Sequence, residues 1–304
     1  MSSGPLVFSA NIRYTRAFSR VPCPPVHPSI RRPFSFSLSR TLSSRDGFKG
    51  SSTQSCSGRR GKFVPRAMLS ETIGRGQFPK VGSQSTGPIP PTQLIQVVEA
   101  AAKSGAQLFI LSIIGLFCST DKMSEESILE IVRKNFPDHL ILGEEGGIIG
   151  DPSSDSDGTT NFAHGYPSFA VSVGVLFQGN PVAAAVVEFV GGPMCWNTRI
   201  FSATAGGGAF CNGEKIHASK TEKVERSLLV TGFGYEHDDA WSSNIDLFKE
   251  FTDISRGVRR LGAAAVDMCH VALGIVEAYW EYRLKPWDMA AGVLIVEEAG
   301  GAVT

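Results

Sequence analysis

The chain has 304 residues, 42% hydrophobic and 19% charged, which leaves ample material for a core in one large domain or two. Its 29 basic and 29 acidic residues cancel, yet residues 1–70 hold twelve Lys or Arg against Asp46 alone, leaving 17 basic and 28 acidic residues beyond them. No nucleic-acid partner is expected for that acidic body. The longest apolar run, Leu108 to Cys118, is about half of the roughly 20 residues that span a bilayer, so no membrane segment is expected either.

Fifteen serines, many prolines and the excess of arginine mark residues 1–70. A hydroxylated, Arg-rich, acid-poor leader without a long apolar core has the composition of a mitochondrial or chloroplast transit peptide, not of a secretory signal. The serine abundance points to the chloroplast, with cleavage near Val64 to Met68. The same composition also fits a basic tail that stays attached and binds nucleic acid or acidic membranes. The organisation taken forward is a disordered plastid transit peptide over 1–67, a linker over 68–91 and a folded domain over 92–304, located in the chloroplast stroma.

Pro90 and Pro91 precede Thr92, a good N-cap, and Leu94, Ile95, Val97, Val98 and Ala101 recur at helical spacing. A second helix is predicted from Ser124 to Phe136, with Glu125 and Glu126 in its first turn. His139 to Leu142 reads as a short strand. From Ser168 the period changes to that of a strand meander: FAVSVGVLF, a turn at Gly179-Asn180-Pro181, VAAAVVEF, a second turn at Gly191-Gly192-Pro193, and MCWNTRIFSAT. Asn212-Gly213 is a hairpin signal and LLVTGF at 228–233 a further strand. Helices are predicted at Trp241–Thr252, Ala263–Leu273 and Met289–Ala299. A mixed α/β architecture with layers of both follows.

Cys118, Cys195, Cys211 and Cys269 form no close pairs and read as reduced core thiols. Trp196, Trp280 and Phe169 read as core.

The chemistry sits in separated carboxylates: Glu144 and Glu145 in GEEGG, Asp157 in DGTTNF, Asp288 in PWDMAAG. Each stands where a strand or helix meets a turn, so all could point into one crevice. Grouped acidic oxygens suit hard divalent cations such as Mg²⁺. Read singly they are weaker: Asp157-Gly158 is also an ordinary turn, Asp288 also an N-cap, and Glu145 either a second acid near the site or a solvated neighbour.

GEEGG, DGTTNFAHG, GGGAFCNG at 206–213, LGAAAVDM at 261–268 and WDMAAGVLIVEEAGG at 287–301 resemble the inositol monophosphatase family in order and spacing. The similarity covers roughly residues 92–304 and is greatest to plastid-type plant members. The resemblance implies a layered αβαβα sugar-phosphatase fold and Mg²⁺-dependent hydrolysis of a phosphate monoester, usually by a homodimer, with two or three ions. Carried over by motif, Glu144, Asp157 and Asp288 are implied metal ligands. Asp121, in STDK, would orient the attacking water with Thr159 as its hydroxyl partner. Gly158 and Thr159 would bind phosphate oxygens through their amides. Gly262, Ala263 and Ala264 would lie along the sugar, and Glu281 would hold a polyol hydroxyl. The implied substrate is myo-inositol monophosphate or a relative such as L-galactose 1-phosphate.

The resemblance breaks in three places. Members carry an apolar strand ending in Asp-Pro-aliphatic-Asp before DGTT, whereas this chain reads GDPSSDSDGTT, with Ser154 where the metal-bridging aspartate belongs. Asp155 takes that role only if the loop shifts register. The stretch between the first helix and Asp121 is LFILSIIGLFC where members have a hairpin, and the domain is expected to lack a C-terminal strand and helix. A fold missing a central strand is therefore predicted. The competing expectation is a non-catalytic subunit that binds a sugar phosphate or regulates a partner.

Overall fold

The computed structural model describes residues 6–12, 85–113, 120–143, 147–148, 160–234 and 236–304, all in one compact unit comprising Met1–Ala17 and Phe78–Thr304. Glu144, Glu145, Asp155, Asp157, Gly158, Thr159 and Cys118 lie outside the described residues.

Helix α1 (Pro91–Ile113) starts one residue before the predicted cap. The Pro90 carbonyl accepts from the Gln93 and Leu94 amides, both at 3.1 Å, and Pro91, with no N–H to satisfy and a preset φ, suits the first helical position. Its buried face, Leu94, Val97, Val98, Ala101, Ala102, Ala106 and Phe109, keeps the i, i+3, i+4 spacing, and burying each Leu, Val or Phe contributes about 1.5–3 kcal/mol. Helix α2 (Thr120–Asn135) begins four residues before the predicted Ser124. That moves Asp121 into its first turn and Glu125 and Glu126 into its second.

The main sheet has eight strands in the order β3-β2-β1-β4-β5-β6-β7-β8. In chain order these are β1 (Leu6–Ile12), β2 (Leu140–Gly143), β3 (Gly147–Ile148), β4 (Phe169–Phe177), β5 (Asn180–Val190), β6 (Asn197–Thr204), β7 (Gly208–Cys211) and β8 (Glu214–Lys215). From β4 onward it is the antiparallel meander that the apolar runs and turn residues of the sequence predict. The β4–β5 turn is Gln178–Gly179, at φ of 52° and 80°, one residue before the predicted turn. Asn180 and Pro181 already belong to β5. Asn212–Gly213, at 52° and 84°, makes the expected tight hairpin, because two successive positive φ values match the strand twist.

Two findings depart from the sequence reading. Leu6–Ile12, assigned there to a disordered leader, is a strand of the sheet. It also fills the central position expected to be missing: β1 pairs in parallel with β2 and antiparallel with β4. Any strand-forming segment that can reach this position satisfies its hydrogen bonds, whatever its place in the chain.

β5 explains the layering. Ala183, Ala185, Val187 and Phe189 join the core under α1 and α2, with the Phe169 and Phe189 rings stacked at 4.6 Å. Ala184 and Val186 join a second core with α5 (Ala264–Ala272) and α6 (Pro286–Glu298). A strand covered on both faces reads as a nearly unbroken apolar run. Beyond α5 lies a parallel three-stranded sheet, β10-β9-β11, built from β9 (Leu228–Thr231), β10 (Gly257–Arg259) and β11 (Ala278–Trp280). Helix α4 (Asp239–Ile254) covers it, with Phe251 against Trp280 at 5.0 Å. The order of layers is α, β, α, β, α. Neither β10 nor β11 was legible in the sequence, since three-residue strands carry no period.

Phe169 is buried, and Trp196 and Trp280 are partly buried against aromatic neighbours. Cys269 is buried, but Cys195 is exposed, which corrects its assignment to the core. It sits in the loop after β5, where Met194 at φ of 73° turns the chain outward. Among the described residues no helix is long and apolar enough to cross a membrane.

Candidate active site

Strand direction brings the described residues that flank the motifs to one end of the main sheet. Gly143, the last residue of β2, pairs with Ala10, and Ala10 pairs with Val173 of β4. The carboxyl end of β2, from which Glu144 continues, therefore lies at the same sheet end as the start of β4. The short helix α3 (Thr160–Ala163), which follows directly on Thr159, lies just before that start. Helix α6 runs between the two ends. Its Glu298 accepts from the Gly206 and Gly208 amides at 3.0 and 2.8 Å, in the turn after β6 at the far end, so Asp288 in its first turn lies toward the end that carries α3.

Asp288 is buried. It is the third residue of α6, and not the N-cap: Lys285 holds that position, its amide donating to Asp288 Oδ2 at 2.8 Å. Pro286 supplies the fixed φ that begins the helix. The carboxylate is thus held in one direction by its own helix start and offers an oxygen donor of the kind that hard cations prefer.

Asn161 joins two motifs. Its Nδ2 donates to the carbonyls of Ser168 and Leu261, each at 2.7 Å. Gly262, at φ of 80°, lies beside it, and a Cβ there would stand 3.4 Å from Asn161 Nδ2. Ala263 and Ala264 are buried at the start of α5. DGTTNF and LGAAA therefore meet through Asn161, which the sequence reading quoted inside its motif but gave no role.

Glu281 stands at the carboxyl end of β11 and Gly232 at that of its neighbour β9. Gly262 follows β10 at the same end of the parallel sheet. In open sheets ligands bind outside the carboxyl ends of parallel strands. Tyr279 Oη donates to Glu281 Oε2. A Cβ on Gly232 would stand 2.0 Å from that same oxygen, so only glycine lets the carboxylate rest where it does. Glu281 also lines a cleft of about 470 Å³ with Met268 of α5, Met289 and Val293 of α6 and residues 300–304, but Asn161, Gly262 and Asp288 are not in its wall.

Asp121 lies on the first turn of α2. Among the described residues no three His, Cys, Asp or Glu side chains form a metal-binding group; the proposed ligands other than Asp288 fall outside them.

A charged cluster that the sequence reading missed lies on the α5 side of the main sheet. Glu188, 2% exposed, accepts from Arg199 Nε and Nη2, both at 2.9 Å, and contacts His270 Nε2 at 2.8 Å. Its one signal in the sequence is a lone acid in the apolar run VAAAVVEF. Burial, helped by Glu188, pushes the Cys269 thiol well above the usual range, and burial likewise raises Cys211. Both shifts disfavour the thiolate, which is the reactive form.

Among the described residues Asn161, Gly262 and Asp288 stand at the ends of elements of this layered fold, and the proteins that the chain is similar to make it a phosphatase. The chain belongs to the inositol monophosphatase family, whose model matches residues 115–304. It is 63% identical over 294 residues to "Phosphatase IMPL1, chloroplastic" of Arabidopsis thaliana, spanning 91% of this chain and 76% of that protein. Against the inositol-1-monophosphatase of Synechocystis sp. it is 41% identical over 196 residues, 62% of this chain and 66% of the relative. Among solved structures, the inositol monophosphatase from Anabaena superposes with a TM-score of 0.62 at 36% identity, covering 70% of this chain and 87% of its own.

Proposed function

We propose that the chain hydrolyses a polyol or sugar phosphate monoester, with myo-inositol monophosphate as first substrate and L-galactose 1-phosphate as second. The observation that carries this reading is the Asn161 bridge, which joins the segment following Thr159 to Gly262. Under this reading Glu144, Asp157 and Asp288 hold Mg²⁺, with Asp155 completing the set in place of Ser154. The oxygen-only chemistry of these donors fits that ion. Bound Mg²⁺ would neutralise phosphate charge and lower the pKa of a bound water. Asp121 and Thr159 position that water, the Gly158 and Thr159 amides receive phosphate oxygens, and Gly262–Ala264 line the sugar. Glu281 accepts from a hydroxyl of the leaving alcohol. The reading extends to a location in the chloroplast, for which the name of the Arabidopsis relative is the support, and to a homodimer, as the family resemblance implies.

Phosphate release from a panel of inositol, galactose and fructose phosphates, titrated with Mg²⁺, tests this. The expected result is metal-dependent release that is fastest with inositol monophosphate. Saturable binding of inositol phosphate without release at any Mg²⁺ concentration would overturn it in favour of a sugar-phosphate-binding subunit.

A further inference from the structure

Helix α2 is pinned to α1 by a close approach. A Cβ on Gly105 of α1 would stand 2.7 Å from Ser124 Oγ and 2.9 Å from Ile128 Cδ1 of α2, and both of those α2 residues are fully buried. Beside that contact the Ser104 and Ser127 hydroxyls meet at 2.5 Å. Packing this tight leaves α2 little freedom to slide or turn.

The next residue after Ser124 uses that fixity. Glu125 is 5% exposed, and its carboxyl group lies against the end of β2: a Cβ on Gly143 would stand 2.2 Å from Glu125 Oε1 and 2.7 Å from its Cδ. Gly143 is the last residue of β2, and Glu144 follows it in the chain. Asp121 lies one helical turn before Glu125. The same device, a glycine at a strand end that yields to a glutamate, seats Glu281 against Gly232.

An acid is costly to bury, so its presence at one particular strand end needs a use. Here it puts a second carboxyl group where the ligand Glu144 leaves β2. Groups that stand behind a metal ligand without touching the ion orient that ligand and tune how tightly the ion is held.

We propose that Glu125 is a positioning residue of the cation site: seated against Gly143, it acts through Glu144, fixing the strand end from which that ligand departs and adding negative charge behind it. The inference rests on the reading of Glu144 and Asp288 as Mg²⁺ ligands, and the test lets the two fail separately.

Mn²⁺, which takes the same oxygen donors as Mg²⁺, is titrated into the full chain, and binding is read from the loss of the free-ion electron paramagnetic resonance signal, without turnover. Glu125→Gln keeps the packing against Gly143 and removes the charge. Its Mn²⁺ dissociation constant is expected to rise at least about tenfold, with the circular dichroism of the parent. Glu125→Asp, shorter but still acidic, should recover part of that loss, which a role in packing alone would not allow. Gly143→Ala, which drives the carboxyl group off its seat, should also weaken binding.

Parental affinity in Glu125→Gln would overturn the proposal, as would weaker binding by Glu125→Asp than by Glu125→Gln. If the glutamine variant does not fold, parental affinity in Gly143→Ala or a tenfold loss in Glu125→Asp overturns it instead. Asp288→Asn is the control for the site itself. Loss of affinity there with none in Glu125→Gln removes this inference alone, whereas unchanged affinity in Asp288→Asn removes the reading of the cation site and this inference with it.

Discussion

Asn161 spends both hydrogens of its amide on two carbonyls, those of Ser168 and of Leu261, the second one hundred residues along the chain. Its own backbone carbonyl accepts from Tyr166 at 2.8 Å. The side chain thus ties α3 to the loop before α5 with a donor pair that no carboxylate can replace.

Asn161→Ala should leave both carbonyls without this donor and destabilise the fold by about 1–3 kcal/mol. Asn161→Asp should be worse, since a carboxylate would face two acceptors. Urea denaturation ranks the variants, and phosphate release at saturating Mg²⁺ should fall in the same order. Equal stability of the two variants would show that the amide donor is not what holds the loop.

Asp288→Asn separates folding from chemistry. The amide oxygen of asparagine still accepts from Lys285 N–H, so α6 should start as before and thermal unfolding should change little. Loss of the negative charge should nevertheless lower turnover by roughly a thousandfold if the carboxylate holds a cation in the transition state. Near-normal turnover in a folded variant would remove Asp288 from the site.

Gly232→Ala adds one methyl where the Glu281 carboxylate rests. The carboxylate must move, and Tyr279 loses its acceptor. If Glu281 holds a substrate hydroxyl, KM should rise about tenfold, a loss of roughly 1.4 kcal/mol, with a smaller change in kcat. An unchanged KM for inositol monophosphate would place the substrate elsewhere.

Asp238 caps α4, accepting from the Trp241 amide at 3.0 Å, and pairs with Arg283. The Trp241 amide first, and the Arg283 guanidinium after it, hold its carboxyl below the usual carboxylate range. A depressed folded-state pKa means that the stabilisation is present above the ordinary value near 4 and is lost as pH falls through the lower, folded one. Asp238→Ala should therefore lower Tm at pH 7, and the difference from the parent should shrink below pH 4. A difference independent of pH would show that packing, and not charge, sets the effect.

The strands of the meander were legible because apolar, β-branched runs such as FAVSVGVLF and VAAAVVEF are cut by turn residues, and both signals are local. The longer helices were legible from their spacing, with ends misplaced wherever proline or a carboxylate takes the first turn: Pro91 and Pro286 are helical, and Asp288 is inside its helix; the single turn of α3 was not. The three-residue strands β10 and β11 were not, since their pairing comes from neighbours distant in the chain. The Glu188, Arg199 and His270 cluster escaped for the same reason. Its members sit on two strands and a helix, and nothing local marks them as partners. Leu6–Ile12 was hidden differently: seven strand-forming residues lay inside a segment whose overall charge and serine content belong to a leader.

The position of β1 gives folding an order in time. The hairpins from β4 to β8 join neighbours in sequence, whereas Leu6 must find Phe177 and Val7 must find Leu140. Closing a loop adds only about 0.6 kcal/mol for each doubling of its length, but contacts so distant in the chain slow folding far more than they weaken the product. The earliest of the described strands in the chain is thus among the later ones to be seated. Until it docks, the newborn meander carries its apolar flank uncovered, an interval in which crowding or a holding chaperone decides between completion and clumping.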